Sequence, residues 1–395
     1  MKVLSFSYCF PNAARPIWGV FVAQRLAALA ELVELQVVSP VPICPPLTTF
    51  RPSPGPVRDA WGELNVHRPR FWYVPKLLKS RDAHRYARGL RRWLRGLAAA
   101  WRPDLLDAHF VWPDGVAGSL LARELGIPYA ITLRGKIYPC LEVPAQRQQC
   151  AEALRNAAAV ISVSGTMAQV ARELGAQPER VHVIPNGVDT ELFQPQDKAT
   201  ARAELDLPAA ARILVTVAHL GPRKGHFEVL EAMSTLDPDV HLVLVGGVPD
   251  GKRCAAAIRA RARELGLTGR VILAGRQPHD RVSRYLAAAD ATVLASYREG
   301  CPNVVLESLA AGRPVVASDV GAVPDLLRDG ADGYVVPPRE VKPLASALAK
   351  VLSRDWDATE LQQAPGVRSW TDVAAQVHAV LAPPAKGKAP APQCR

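Results

Sequence analysis

Ten short apolar runs constrain the fold of this chain more than any other feature. Val3–Tyr8, Leu35–Val38, Leu105–Phe110, Ala130–Leu133 and Val160–Val163 lie in the first half. Ile213–Ala218, Leu242–Val245, Val271–Ala274, Ala291–Ala295 and Pro314–Ala317 lie in the second. Stretches with helical spacing separate them. Hydrophobicity is continuous within each run rather than alternating, which predicts strands covered on both faces, hence parallel α/β layers. Ten such strands exceed one compact open sheet, and 395 residues suffice for two cores. The break is expected near Asn186–Pro195, with Phe193-Gln194-Pro195 as the connection. Each half reads as a Rossmann-like layer, with ligands bound at strand carboxyl ends in the cleft between halves.

Composition excludes several classes. No apolar run is long enough to span a bilayer. Met1-Lys2-Val3-Leu4-Ser5-Phe6 reads as a strand rather than a signal peptide, so a cytoplasmic protein is expected. Seven scattered cysteines without a Cys-x-x-Cys pair argue for reduced thiols, against a disulfide framework and against zinc. The net charge of +11 suits nucleic acid, an anionic membrane surface or a polyphosphate ligand. No nucleic-acid module is legible, so the latter two are preferred and no nucleic-acid partner is expected. The proline-rich residues 40–58 read as an extended loop without an element, and 383–395 as a disordered tail.

The most informative stretch is Glu299-Gly300-Cys301-Pro302-Asn303-Val304-Val305-Leu306-Glu307. It follows the run Ala291–Ala295. Pro302 suits a first helical position, Asn303–Ala311 the helix, and Gly312 a left-handed close. Glu299 then sits in the loop at a strand's carboxyl end, and Glu307 beyond the first helical turn. The unpaired amides near Asn303 and Val304 form an anion site. Carboxylates before and beside that site suit a ligand with sugar hydroxyls flanking a phosphate. The alternative is a pair of solvated acids around a helix start.

Glu, seven intervening residues and Glu, written EGCPNVVLE, resemble the signature of the family 4 glycosyltransferases. The likeness extends from the first strand to about Pro338. It implies an α/β GT-B fold, with two Rossmann-like doubly wound parallel-sheet domains facing across a cleft. These would be an acceptor domain over 1–190 and a nucleotide-sugar donor domain over 196–365, with the helix at 369–382 crossing back onto the first. It also implies sugar transfer with retention from a nucleotide-diphosphate sugar to a glycan or lipid-linked acceptor. By resemblance, Glu307 holds the ribose and Glu299 the donor sugar. Lys224 of the loop His219-Leu220-Gly221-Pro222-Arg223-Lys224-Gly225-His226, with Arg223, Gly300, Asn303 and Val304, holds the leaving diphosphate without a metal. The family's second cation usually stands five or six residues before the lysine; here His219 stands five before. That leaves open which of Arg223 and His219 shares the phosphate. Gly19 of Gly19-Val20-Phe21-Val22 matches a donor or acceptor turn, or simply opens a helix. His109 matches a family histidine beside the transferred sugar, at a strand end facing the cleft, with Asp114 capping the next helix. Arg134 matches an acceptor contact, and Arg276 a nucleotide contact. Asn186-Gly187-Val188-Asp189 resembles a tight turn at the domain junction.

Three other motifs are weaker. Gly246-Gly247-Val248-Pro249-Asp250-Gly251-Lys252-Arg253 approaches a P-loop, but Arg253 stands where a hydroxyl is required and Pro249 removes an amide. Asp237-Pro238-Asp239 precedes its strand and reads as a turn, not a metal motif. Over 79–97, Arg81, Arg85, Arg88, Arg92 and Arg95 form one helical stripe, and Tyr86, Leu90, Trp93 and Leu97 the other. The cationic stripe suits anionic lipid or a lipid-linked phosphate, or is a solvated face. Alternatives to a transferase are a nucleotide-sugar epimerase of the same architecture and a non-catalytic sugar-nucleotide binding protein; the chain is much shorter than the related sugar phosphorylases.

Overall fold

In a computed structural model, residues 1–44, 58–74, 79–135, 137–247 and 253–382 are described. The chain divides into two compact units. One holds residues 1–161 and 170–184 together with the chain from Ala374; the other holds 162–169 and 185–373.

The first unit is built on an eight-stranded sheet. Its order is Val181–Val183, Ala159–Ser162, Tyr129–Leu133, Leu105–His109, Lys2–Phe6, Glu34–Val38, Leu64–His67 and Arg58–Trp61. Lys2–Phe6 pairs in parallel with Glu34–Val38 on one side and with Leu105–His109 on the other. The order therefore reverses at Lys2–Phe6, the switch point where a doubly wound sheet opens a crevice at its carboxyl edge.

The second unit repeats the plan with six strands: Val271–Gly275, Val240–Val245, Arg212–Val217, Ala291–Leu294, Val315–Ser318 and Gly333–Val336. Neighbouring strands are parallel throughout. The reversal falls between Arg212–Val217 and Ala291–Leu294. The core of this unit has apolar residues on both faces of its strands. Ile213, Val215, Val243 and Val245 enter one apolar cluster, while Leu214, Leu242, Leu244 and Val293 enter a second cluster on the opposite face. Both faces are covered, so both phases of the two-residue repeat are apolar. Each such side chain contributes roughly 1.5–3 kcal/mol on burial.

All ten apolar runs form strands, and the described residues add others the runs did not show. Val41–Ile43, within the stretch read as a loop without an element, pairs in parallel with Arg70–Trp72. Pro42 is tolerated because the ladder bonds there come from Val41 N to Pro69 O and from Tyr73 N to Ile43 O. Residues 45–57, the P-loop-like 248–252 and the tail 383–395 lie outside the described residues. Asp237-Pro238-Asp239 is a turn, with Val240 N donating to Asp237 O and Arg212 clasping both carboxylates at 2.7 Å. Asn186-Gly187 is not a tight turn. It runs on into a bridge between Val188 and Ser369, and Gly187 is needed because a Cβ there would meet Trp370 N at 2.9 Å. The final helix spans Trp370–Leu381. Among the described residues, no helix is long and apolar enough to cross a membrane.

Candidate active site

Two loops meet at the switch point of the second unit. The chain leaves Arg212–Val217 and reaches Gly225, which has φ +66° and opens the helix His226–Met233. A Cβ on Gly225 would meet Ala295 O at 1.9 Å, so only glycine lets this loop lie against the exit of the neighbouring strand. Tyr297 N donates to Arg223 O at 2.9 Å and ties the loops again. Across this seam Lys224 Nζ donates to Glu299 Oε1 at 2.5 Å, and both side chains are mostly shielded from water. Gly321 (φ +61°) backs the Glu299 loop from the other side, where a Cβ would meet Gly300 O at 2.5 Å and Glu299 O at 2.6 Å. Tyr297 donates its hydroxyl to Glu228, and the Arg339 guanidinium lies 4.5 Å over its ring. Arg223, His219 and Arg276 are exposed. His226 is buried with Nε2 at 3.2 Å from His219 O, and burial pushes its imidazole down.

The helix after Glu299 spans Asn303–Ala310. Pro302 is not its first residue. It stands one position earlier with an extended backbone, φ −77° and ψ 103°, and its carbonyl accepts from Val305 N at 3.1 Å. This leaves the amides of Asn303 and Val304 without intrahelical partners, as at any helix start. Gly312 closes the helix at φ +70°. The Asn303 side chain accepts from Asn186 Nδ2 at 2.8 Å. Glu307, 9% exposed, has Oε1 at 3.1 Å from His279 Nε2. Burial pulls the His279 imidazole down, but the hydrogen bond and charge of Glu307, with Asp189 and Asp280 nearby, outweigh it and hold its pKa above the usual value.

The first unit carries a different cluster at its own switch point. Asp107 and His109 lie two apart on Leu105–His109 and so share one face. His109 Nε2 is 3.1 Å from Asp107 Oδ2, off the line of an ideal N–H bond. Arg25, from the helix Val20–Ala30, donates to Thr132 Oγ1 at 2.8 Å and stands 3.8 Å from Asp107 Oδ2. Ser5 Oγ donates to the same oxygen at 3.4 Å. His109 has 0% exposure, so its side chain packs inside this unit instead of opening onto a cleft. Burial, helped by the charges of Arg25 and Arg134, pushes its pKa down to about 4. Burial opposes ionisation of Asp107, but its contacts with His109 and Arg25 hold it at about 2. Phe110 follows with φ +74° and ψ 140°, a backbone conformation that costs a non-glycine residue roughly 1–3 kcal/mol. Arg134 is buried with its guanidinium 4.9 Å over Phe21. Gly19 (φ +81°) opens Val20–Ala30, and a Cβ there would meet Cys9 O at 2.3 Å. Asp114 does not cap the following helix; its Oδ1 accepts from Tyr8 N at 2.9 Å and from the Tyr86 hydroxyl at 2.7 Å. Among the described residues no group of three or more His, Cys, Asp or Glu could hold a metal.

The profile of group 1 glycosyl transferases matches residues 197–366, and that of Glycosyltransferase Family 4 matches 19–192. A Bacillus subtilis glycosyltransferase, TuaC, named for teichuronic acid biosynthesis, is 30% identical over 363 residues, covering 89% of each chain. This chain belongs to the group 1, family 4 glycosyltransferases. A D-inositol 3-phosphate glycosyltransferase of Acidothermus cellulolyticus is 34% identical over 269 residues, covering 63% of this glycosyltransferase and 59% of that one. The fold is GT-B. It is shared with sucrose-phosphate synthase of Thermosynechococcus elongatus at TM-score 0.79 and 23% identity, over 96% of this chain and 98% of that one. Anabaena HepE, solved with UDP, follows at TM-score 0.74 and 18% identity, over 96% and 99%.

Of the residues singled out in this glycosyltransferase's sequence, Lys224, Glu299 and Gly300 meet at one seam, and Asn303, Val304 and Glu307 continue from it on one helix. His109, Arg134 and Gly19 belong to the first unit. Three participants escaped sequence reasoning: His279, Asp107 and Arg25. The two-residue spacing of Asp107 and His109 on a predicted strand was a usable signal. His279 has no such signal, because its partner lies 28 residues away on another helix.

Proposed function

We propose that this glycosyltransferase moves a sugar, with retention, from a nucleotide-diphosphate sugar to a glycan or lipid-linked acceptor in cell-surface polysaccharide or glycolipid biosynthesis. The contact of Lys224 with Glu299 carries the reading. It sets a cation beside a carboxylate and next to a helix start, where a sugar diphosphate needs both signs of charge. Glu307 accepts hydrogen bonds from the ribose hydroxyls, and Glu299 from the donor sugar. Lys224, Arg223 and the amides of Asn303 and Val304 neutralise the diphosphate as it leaves, with Gly300 giving the backbone close access and Arg276 flanking the nucleotide. Gly19, with its loop in the first unit, serves the acceptor side, and the buried His109 and Arg134 support that side from beneath without touching sugar or acceptor. The names of the relatives, teichuronic acid and inositol 3-phosphate transferases, support a polyhydroxylated acceptor, and the UDP bound to HepE supports a nucleotide donor.

The exposed Arg81, Arg88 and Arg92 of the helix region support peripheral contact with anionic lipid, whereas Arg85 and Arg95 have acidic neighbours in Asp82 and Glu124. On the opposite stripe Tyr86 and Leu90 are buried, but Leu94 takes the core position expected for Trp93, and Trp93 packs at a tilt of 57° against His67, 5.3 Å between ring centres. Neutralising Arg81, Arg88 and Arg92 together is expected to reduce sedimentation with anionic vesicles; unchanged binding removes the membrane contact.

The transfer itself is tested by incubating purified protein with a panel of nucleotide sugars, with and without membrane extract. Acceptor-dependent sugar transfer, retained after EDTA treatment, is expected. Isomerisation of the donor without acceptor would assign an epimerase, and binding without turnover a non-catalytic protein.

A further inference from the structure

We propose that His279 is a positioning residue that presets Glu307 for the ribose diol of the nucleotide. The inference rests on the reading of Glu307 as the ribose-binding carboxylate. His279 holds one carboxylate oxygen, Oε1, at 3.1 Å, and Oε2 has no hydrogen-bond partner among the described residues. The imidazole is itself fixed: Phe193, 1% exposed, packs edge-to-face against it at 4.9 Å between ring centres. Phe193 is anchored in turn by its amide, which donates to Asp189 O at 2.9 Å. A glutamate on an open helix face must surrender its rotamer freedom when it grips a ligand; here that loss has already occurred. One oxygen is tethered and the other is offered, as a vicinal diol requires.

The charged groups that face the imidazole are Glu307 from the helix Asn303–Ala310, Asp189 from the segment leading to Phe193, and Asp280 from its own helix. All three are acidic. The proton is therefore kept to higher pH than on a free histidine, and the tether is charge-assisted while it stays. As pH rises and the proton leaves, the tether weakens and ribose recognition should weaken with it.

The experiment is calorimetric titration of UDP and 2′,3′-dideoxy-UDP, and of the ADP pair, into the full chain from about pH 6 to about pH 9. Wild type is expected to prefer the ribose form about tenfold, with the preference falling as pH rises. The ratio of the two ligands cancels the titration of their phosphates. His279→Gln is expected to lose most of the preference by weakening only the ribose ligand, with no pH trend. His279→Lys, charged throughout this range, is expected to restore a preference that no longer changes with pH. His279 has a side chain 40% exposed, so both variants should fold, which a thermal melt checks. A Gln variant with wild-type preference at every pH overturns the inference while leaving Glu307 in place. A wild type that shows no preference for the ribose form, or binds neither nucleotide, overturns the reading of Glu307 itself.

Discussion

Each unit holds a carboxylate and a histidine at hydrogen-bond distance near the carboxyl edge of its sheet, and the two pairs behave oppositely. Asp107 and His109 are wholly buried, with two guanidiniums as their charged neighbours, and the histidine titrates low, at about 4. Glu307 is nearly buried, but His279 is partly open to water and faced by acids, and the histidine titrates high. The separation is the same 3.1 Å in both. Distance between partners therefore does not set the proton affinity; burial and the sign of the third neighbour do. The fully buried pair is suited to holding a fixed arrangement, and the pair whose histidine is 40% exposed to answering a ligand or a proton.

The largest expected effect breaks the symmetry of function. Glu299→Gln or Lys224→Ala should lower turnover by about 10²–10³-fold, in the range seen when one preorganised charge partner is removed, with an unchanged circular dichroism spectrum. Wild-type rates in either variant would count against the second unit as the seat of chemistry. Next comes stability. Asp107→Ala leaves Arg25 buried without its counter-charge and should cost about 3–5 kcal/mol in urea unfolding, whereas Glu307→Gln, which keeps the side-chain volume and an oxygen acceptor for His279, should cost about 1 kcal/mol. Equal losses would mean that the two pairs are structurally alike.

The pH dependence sharpens the contrast further. His109 binds its proton more weakly folded than unfolded, so its contribution is complete above about 6.5 and is lost as pH falls toward 4. That loss is on the order of 3 kcal/mol, and His109→Asn should flatten it. His279 has the reverse sign: its contribution is complete below the unfolded value and is lost as pH rises through the raised folded one. With its side chain 40% exposed, the alkaline loss removed by His279→Gln should stay below about 1 kcal/mol, the smallest of these effects. Unfolding curves at a series of pH values measure both slopes, and slopes of the same sign would contradict the assignment of neighbours.

Much of this was legible in the chain itself. Buried parallel strands announce themselves because both faces must be apolar, and Val215 beside Leu214 illustrates it. Glu299, Lys224 and Glu307 were legible because a loop–helix sequence places them relative to one strand end. Val41–Ile43 was not, since a three-residue edge strand containing proline has no periodicity to read. Pro302 was misplaced by one position because proline suits both the residue before a helix and its first turn. The reach of His279 to Glu307, and of Arg25 to Asp107, depends on how separate helices pack, and no local spacing encodes that.

The Glu299 strand exit runs between Gly225 on one side and Gly321 on the other, with main-chain atoms where each glycine's Cβ would stand. Such a channel leaves no slack for redesign: lengthening or re-routing it would collide with backbone on either side. Variation at this seam is then confined to exposed side chains such as Arg223 and Arg298, whose exchange leaves the main-chain rail beneath them in place.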